Sequence, residues 1–283
     1  MSAPPSLDYQ PTRFRERYTA MNRFEGRRIL VTGAGSGIGQ ATALRLLAEG
    51  GRVVAADISE KGLADTRRSA EHASTEGRLD TVVVDIGDES SVITVVGQAI
   101  SALGGLDVLV NAAGILRGGH THETSLDLWN QVISVNLTGT FLVTRQALPA
   151  LLATGNAVVV NFSSTSAAFA HPYMAAYAAS KGGIQSFTHT LALEYGKQGL
   201  RAVAVAPGSV KSGITDTTAS YLPEDTDWSL FGKLSPILST DLESGGAPMA
   251  GPESVAGVIA MLASDDGAFI TGTEIRVDGG THA

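Results

Sequence analysis

Two side chains that can exchange a proton stand four positions apart in a segment of small residues, HPYMAAYAASKGGIQSF (171–187). They are Tyr177 and Lys181. Positions i and i+4 of a helix share a face, so the phenol and the ammonium point into the same space. A free phenol has a pKa of about 10, too high for a base near neutral pH, and a cation within about 4–6 Å favours the phenolate. The pair could therefore transfer a proton, and the alternative is an ordinary surface pair.

A glycine cluster could hold a phosphate group. The loop VTGAGSGIG (31–39) follows a predicted strand, RRILVTG (27–33), and opens a predicted helix, IGQATALRLLAEG (38–50). Its glycines fit the spacing G-x-x-x-G-x-G. Glycine permits a tight turn and a close backbone approach to a pyrophosphate, and a helix N-terminus offers free N–H groups. Turns also use glycine, but the strand-turn-helix context favours nucleotide binding.

A carboxylate at the end of the second predicted strand bears on which nucleotide is bound. Asp57 lies 18 positions after Gly39 and can accept hydrogen bonds from both ribose hydroxyls of an adenosine. It would repel a 2′-phosphate, and neither Ala34 nor Ile58 supplies a compensating cation. The sequence therefore predicts NAD(H) in preference to NADP(H). The alternative is a strand-end aspartate that caps the next turn. Asp85, after the third strand, is placed to meet the adenine edge.

Short apolar runs alternate with helical segments along the chain, which predicts the elements that position these residues. The predicted strands are 27–33, 52–57, 81–86, 106–114, 157–164, 200–208 and 274–280. Most are continuously apolar, as strands buried on both faces are. This predicts an α/β fold with a seven-stranded, doubly wound parallel sheet in three layers, the Rossmann fold, as a single domain over residues 26–283. Ligands bind beyond the carboxyl ends of such strands.

Two segments do not fit the alternation of predicted strands and helices. Residues 1–25 form a polar extension that we expect to be partly disordered or to contact a neighbouring subunit. Residues 212–252 form a long connection rich in Gly, Pro, Ser and Thr, with scattered aromatic and aliphatic residues. Long connections are often binding loops, so we expect a substrate lid there; a disordered insertion is the alternative.

The net charge and the amino-acid composition exclude some classes of function. The chain has 283 residues and a formal net charge of −8, which argues against nucleic acid and anionic membranes as partners. It has no cysteine, so disulfides, thiolate nucleophiles and Cys-bound zinc are excluded, and the histidines are too scattered to suggest a metal site. No apolar run is long enough to span a membrane, and the first residues lack the apolar region of a signal peptide. A cytoplasmic protein is the expectation.

Seven motifs in order give the chain a family resemblance. They are TGAGSGIG (32–39), NAAG (111–114), VNLTG (135–139), NFSS (161–164), YAASK (177–181), APGSV (206–210) and TGTEIRVDGG (271–280). Together they resemble the classical short-chain dehydrogenase/reductases over residues 26–283. The chain departs from the family at Val203, where an asparagine is common, and we expect a change in packing there.

The resemblance implies a reaction and a role for each motif residue. Tyr177 would be the general acid/base of a hydride transfer between NAD(H) and a secondary alcohol or ketone. Lys181 would support the phenolate and reach the nicotinamide ribose. Ser164, thirteen positions before Tyr177, is preferred to Ser163 and Ser166 as the donor to the substrate oxygen. Asn136 would hold a water that relays protons from Lys181.

The motifs and the fold also predict the binding residues. The predicted cofactor contacts are Gly33, Ser36, Gly37, Ile38, Gly39, Asp57, Ile58, Asp85, Ile86, Asn111, Ala112, Gly114, Tyr177, Lys181, Pro207, Gly208, Val210 and Ser212. The predicted substrate contacts are Ser164, Leu116, His171, Met174 and Trp228. The apolar substrate side favours an uncharged alcohol or ketone. A 3-oxoacyl-thioester reductase of the same family and a catalytically silent nucleotide-binding protein remain as alternatives, and the resemblance implies a homotetramer.

Overall fold

One parallel sheet organises the molecule. The computed structural model describes residues 22–213, 218–238 and 249–282. Most of the predicted N-terminal extension lies outside the described residues, and so do two parts of the predicted lid, 214–217 and 239–248. The described part contains a seven-stranded sheet in which all neighbouring strands pair in parallel.

The strand order places a crevice in the middle of the sheet. The strands are β1 (Arg28–Thr32), β2 (Arg52–Asp57), β3 (Leu79–Val83), β4 (Val108–Asn111), β5 (Ala157–Phe162), β6 (Leu200–Pro207) and β7 (Thr273–Val277). Their order across the sheet is β3-β2-β1-β4-β5-β6-β7. The winding direction reverses between β1 and β4, and a ligand crevice forms at the carboxyl ends of strands where this happens. The prediction of a doubly wound parallel sheet is confirmed.

Helices cover both faces of this sheet. They are α1 (Gly37–Ala48), α2 (Glu60–His72), α3 (Glu89–Leu103), α4 (Leu126–Ile133), α5 (Gly139–Leu152), α6 (Ala175–Tyr195) and α7 (Pro252–Ala263). Buried side chains of α1, α2 and α7 pack on one face, and those of α3, α5 and α6 pack on the other. Alternate strand residues supply the two faces, as Leu30 and Val31 do. The three-layer prediction is confirmed. Of the helices in the described ranges, none combines the length and the hydropathy that crossing a membrane requires.

β3 and β4 are two of the strands that end earlier than the sequence predicts. β3 covers 79–83 where we predicted 81–86, and β4 covers 108–111 where we predicted 106–114. β3 pairs only with β2, whose last residue, Asp57, is opposite Val83, so the pairing ends there. The apolar residues that follow each strand turn away to line a cavity. A run of apolar letters does not distinguish a strand from the cavity wall that continues it.

A buried carboxylate ties the start of the domain to α1. Glu49 follows α1 and its side chain is 1% exposed. Arg23 Nε lies 2.6 Å from Glu49 Oε2, and Arg45, one turn earlier, contacts Oε1. Burial alone would raise the pKa of Glu49, but hydrogen bonds from the two guanidinium groups outweigh it and hold the pKa below its usual value. Arg23 also pairs with Asp266, at 2.9 Å.

We predict that Glu49→Gln lowers the free energy of unfolding at pH 7 by about 3 kcal/mol, because two guanidinium groups lose a buried carboxylate. The pKa of Glu49 is lower in the folded state than the unfolded value of about 4.3. Its contribution is therefore present above that value and is lost as the pH falls through the folded pKa. Urea unfolding at several pH values measures this. Glu71→Gln, on the exposed face of α2, is the control, and equal stability of E49Q and E71Q would contradict the prediction.

Candidate active site

The predicted binding residues meet in one cavity. It has a volume of about 730 Å³ and opens at the carboxyl ends of the strands. Every residue predicted to contact the cofactor lines it except Asn111, and so does every residue predicted to contact the substrate. Of the four predicted catalytic residues, Ser164, Tyr177 and Lys181 line the cavity, and Asn136 lies behind its wall.

The glycine loop is packed too closely to carry side chains. Gly33 has a φ of +69°, and a Cβ atom there would lie 2.6 Å from the backbone nitrogen of Ala113. A Cβ atom on Gly39 would lie 2.1 Å from the carbonyl oxygen of Gly33. The start of α1 is thereby held against the end of β1. Ser36, just before α1, makes no side-chain hydrogen bond to the first helical amides, so its hydroxyl does not satisfy them. The loop therefore fits the pyrophosphate of a dinucleotide.

Asp57 both caps the next turn and faces the cavity. Its Oδ2 accepts the N–H of Gly35 at 2.9 Å, and its Oδ1 accepts the N–H of Ser59 at 2.9 Å. Each carboxylate oxygen can accept a further hydrogen bond, so these contacts orient the group without saturating it. The two interpretations of this residue are therefore compatible, and the geometry suits a ribose diol.

The charge inside the cavity is sparse. Among its described lining residues, Lys181 is the only lysine or arginine, and Asp57 and Asp85 are the only carboxylates. Asp57 and Asp85 follow β2 and β3, on one side of the crevice, whereas Lys181 belongs to α6 on the other. The acidic end accordingly suits a ligand with hydroxyl and amino donors, such as a ribose with an adenine.

Tyr177 and Ser164 form the reactive pair. Tyr177 lies in the first turn of α6, and Ser164 follows β5 and accepts the N–H of Ser166 at 3.2 Å. Burial raises the pKa of the Tyr177 phenol, and its hydrogen bond with Ser164 opposes that increase. We expected a nearby cation to lower this pKa. In the protein without a cofactor, burial affects the pKa of Tyr177 more than its hydrogen bond with Ser164 does. The pKa is therefore raised, whereas we expected it to be lowered.

Lys181 is close to the phenol but hydrogen-bonds elsewhere. Its Nζ lies 5.6 Å from the centre of the Tyr177 ring and donates to the carbonyl oxygen of Phe162, at 2.8 Å. The residue is 5% exposed, and burial lowers the pKa of its ammonium to about 8. Near neutral pH the group is still charged and lies within range of a phenolate.

Asn136 occupies a π-helical turn, Ser134–Thr138, between α4 and α5. The side chain is completely buried. Its Oδ1 accepts the N–H of Ile115 at 2.8 Å, and its Nδ2 donates to the carbonyl of Ile115 at 2.9 Å and to Ser180 Oγ at 3.1 Å. The amide thus fixes the chain just after Gly114, where a Cβ atom would lie 3.2 Å from Asn136 Oδ1 and 3.6 Å from Lys181 Nζ. The predicted water relay remains a prediction.

The side chain of Asn111 is not part of the cavity wall, and the predicted cofactor contact at this residue remains a prediction. Asn111 ends β4, and its side chain is buried beneath the cavity. Its Nδ2 donates to Thr144 Oγ1 and to Asn161 Oδ1, each at 2.9 Å, and Asn161 in turn donates to Thr188. The residue therefore joins β4 to β5 and α5, because its amide is directed sideways across the sheet.

The substrate end of the cavity has a mainly apolar wall. Leu116 and Met174 line it from the body of the domain, and Trp228 lines it from the predicted lid, as expected for these three residues. Other residues within 218–238, in the long connection, add more of the wall. His171 hydrogen-bonds through Nδ1 to the Phe169 carbonyl at 3.2 Å and through Nε2 to Thr165 at 3.3 Å. Burial lowers the pKa of its imidazole, so His171 is a neutral polar group.

Other lining residues were not identified as contacts from the sequence. They include Ile115, Val135, Phe162, Ser163, Ala219, Leu222, Leu234, Pro236 and Thr281. Phe162 contributes its backbone carbonyl, a group that every residue type has, so the sequence does not single this residue out. Thr281 lies near the C-terminal end and follows β7, so only the tertiary fold brings it to the cavity. Leu222 was visible only as an apolar residue in the long connection.

Comparison with known proteins agrees with this arrangement. A family model described as short chain dehydrogenase matches residues 27–222. A 3-oxoacyl-(acyl-carrier-protein) reductase from Thermotoga maritima is 36% identical, over 91% of this chain and 98% of its own. A meso-2,3-butanediol dehydrogenase from Serratia marcescens is 34% identical, over 92% of this chain and 96% of its own. The crystal structure of a carveol dehydrogenase from Mycobacterium avium in complex with NAD has a TM-score of 0.81 and 26% identity, covering 92% of this chain and 98% of its own.

Proposed function

The chain belongs to the short-chain dehydrogenase/reductase family of oxidoreductases, and on that premise we propose that it interconverts a secondary alcohol and its ketone with NAD(H) as cofactor. The observation that carries the proposal is the Tyr177–Ser164 pair at the wall of the same cavity as the glycine loop. A base and a hydrogen-bond donor that face one point beside a dinucleotide cradle suit the removal of a proton and a hydride from one carbinol.

The chain's own residues account for the proton. The Tyr177 and Ser164 hydroxyls hydrogen-bond each other. A substrate oxygen placed between them would instead hydrogen-bond with both. In oxidation Tyr177 accepts the alcohol proton, and in reduction it returns that proton to the carbonyl oxygen. Ser164 donates a hydrogen bond to the oxygen as negative charge develops on it. A bound nicotinamide would supply or accept the hydride.

Lys181 makes the tyrosine a usable base. Burial raises the pKa of the phenol, so a phenolate needs a counter-charge. The ammonium lies 5.6 Å from the ring centre and is held by the Phe162 carbonyl. It therefore stabilises the phenolate without transferring its own proton to it directly.

Asp57 supports NAD(H) as the cofactor. Its carboxylate is oriented by Gly35 and Ser59, lines the cavity, and has no lysine or arginine beside it among the described lining residues. A 2′-phosphate would meet like charge there without a counter-ion. The similar carveol dehydrogenase was crystallised in complex with NAD, which is consistent with this choice.

The substrate end supports an uncharged secondary alcohol or ketone. Its described wall carries no lysine or arginine other than Lys181. Acyl carriers and coenzyme A present phosphates, which proteins usually bind with basic side chains. A 3-oxoacyl-thioester reductase is the second candidate, because the Thermotoga maritima relative has that name. A silent nucleotide-binding protein is a remote third, since Ser164, Tyr177 and Lys181 are all present.

A substrate panel tests the reaction. We expect NADH to form from NAD⁺ with aliphatic, alicyclic, vicinal or steroidal secondary alcohols, and the ketones to be reduced with NADH. Preferential turnover of 3-oxoacyl thioesters would favour the second candidate, and no turnover of any compound would favour the third.

Tyr177→Phe should lower kcat about 1,000-fold, because it removes the acid/base hydroxyl, and should leave NADH affinity within about twofold. A Y177F enzyme with near-normal kcat would refute the assigned role.

Cofactor preference has its own test. We expect a higher kcat/KM with NAD⁺ than with NADP⁺ for the wild-type protein. Asp57→Asn should shift the ratio about tenfold towards NADP⁺, since it removes a charge but keeps an oxygen that accepts the Gly35 N–H. Asp80→Asn, on the exposed side of β3, is the control. A wild-type preference for NADP⁺ would contradict the proposal.

We also propose that the protein is a homotetramer. Large apolar side chains are exposed along the helices α4–α6 and near β7: Leu126, Trp129, Phe141, Leu193 and Phe269. Light scattering should give four times the 29.2 kDa of one chain. Leu193, 88% exposed, is the clearest point to disrupt, and Leu193→Asp should reduce the mass. Ile93→Asp, on α3, is the control, and a monomeric wild-type protein would reverse the proposal.

A further inference from the structure

One tyrosine outside the cavity has an unusual backbone. Tyr173 has a φ of +64°, in the left-handed region that bulky residues seldom adopt. Strained residues of this kind persist where the surroundings fix them. The carbonyl of Tyr173 accepts the N–H of Gly119 at 2.9 Å. Its chain neighbour Met174 lines the cavity just before α6, the helix that carries Tyr177.

The side chain of Tyr173 reaches the lid. Its hydroxyl accepts the N–H of Asp227 at 3.0 Å. Its ring stacks on Phe231, with 6.2 Å between centres and 15° between planes, and meets His120 edge-on at 5.2 Å. Asp227 in turn caps the 3₁₀ turn Trp228–Leu234, because its Oδ1 accepts the N–H of Ser229 at 2.9 Å. The Tyr173 hydroxyl therefore holds the residue that caps this turn.

Two further contacts join the same two parts of the chain. His120 Nε2 lies 2.9 Å from Asp225 Oδ1. The guanidinium of Arg117 lies 4.4 Å from the centre of the Tyr221 ring. Between them, a Cβ atom on Gly118 would lie 3.2 Å from the carbonyl of Tyr221, so the two backbones are in close contact. We call these three side-chain contacts, Tyr173–Asp227, His120–Asp225 and Arg117–Tyr221, the clasp.

The clasp sits behind the substrate wall. Trp228 and Phe231 of the held turn line the cavity, and so do Met174 and Tyr177 on the other side. Tyr173 is not among the described residues that line the cavity. It connects the aromatic wall of the lid to the start of the helix that carries the reactive phenol.

We propose that Tyr173 is a positioning residue that sets the distance between the lid's aromatic wall and Tyr177, and so sets the enzyme's affinity for bulky apolar alcohols. The inferred effect on alcohol affinity rests on the proposed function, whereas the inferred role of Tyr173 in holding the lid does not. We expect a small alcohol to reach Tyr177 and Ser164 without touching the aromatic wall. A bulky one uses Trp228 and Phe231 and therefore depends on where the clasp holds them.

Hydrogen exchange tests the structural part without any substrate. Tyr173→Phe removes the acceptor of the Asp227 N–H and keeps the ring on Phe231 and His120. Loss of one hydrogen bond should speed amide exchange in peptides covering 221–234 by about 2- to 10-fold, since exchange reports local opening. Tyr195→Phe, the same change at the far end of α6, is the control. Unchanged exchange over 221–234 in Y173F, or an equal increase in Y195F, would overturn the inference.

Kinetics test the effect on the substrate, with cyclohexanol as the bulky probe and 2-propanol as the small one. In Y173F the KM for cyclohexanol should rise about 2- to 10-fold, while kcat, the KM for 2-propanol and NADH affinity stay within about twofold. Equal effects on both alcohols, or a loss of kcat alone, would contradict a positioning role. If the wild-type protein oxidises neither these two alcohols nor any other secondary alcohol of the panel, that result counts against the proposed function, and the exchange experiment decides the clasp.

Discussion

The candidate site depends on the burial of one ammonium group. Lys181 is 5% exposed, and a buried charge is costly unless it is hydrogen-bonded. The carbonyl at the end of β5 supplies one acceptor, and the missing side chain of Gly114 leaves room for the ammonium beside the Asn136 amide. The end of β5, the chain after β4 and the start of α6 are all fixed around this group. Placement of the neighbouring phenol follows from it.

A second set of buried polar groups keeps these elements in register. The side chains of Asn111, Asn161, Thr144 and Thr188 form a continuous hydrogen-bonded chain from α5 through β4 and β5 to α6. Apolar packing alone would allow small sliding movements between a helix and a sheet, whereas directional hydrogen bonds do not. The helix that carries Tyr177 and Lys181 is thereby tied to the strand that leads to Ser164.

The sequence was informative where chemistry depends on local spacing. The four-residue step from Tyr177 to Lys181 and the glycine steps in 33–39 each correspond to one helical face or one turn, so the structure agrees with both. The sequence was less informative about tertiary consequences. The pKa of Tyr177 is raised because the fold buries it, and Asn111 is turned away from the cavity by partners 33 and 50 positions along the chain. Neither fact is a property of a short segment.

The π-helical turn Ser134–Thr138 has a consequence for how the chain can change over evolution. Such a turn holds one residue more than a regular helix at that point. Deleting that residue would let the turn close into a regular α-helix, because the bulge absorbs the extra residue and leaves the helix after it in the same orientation. The buried stripe of α5, which includes Leu142, Val143, Ala147 and Leu151, would still face the sheet. The Asn136 amide, in contrast, would lose the widened turn from which it reaches Ile115, so a one-residue deletion here would keep the core and remove a contact of the site.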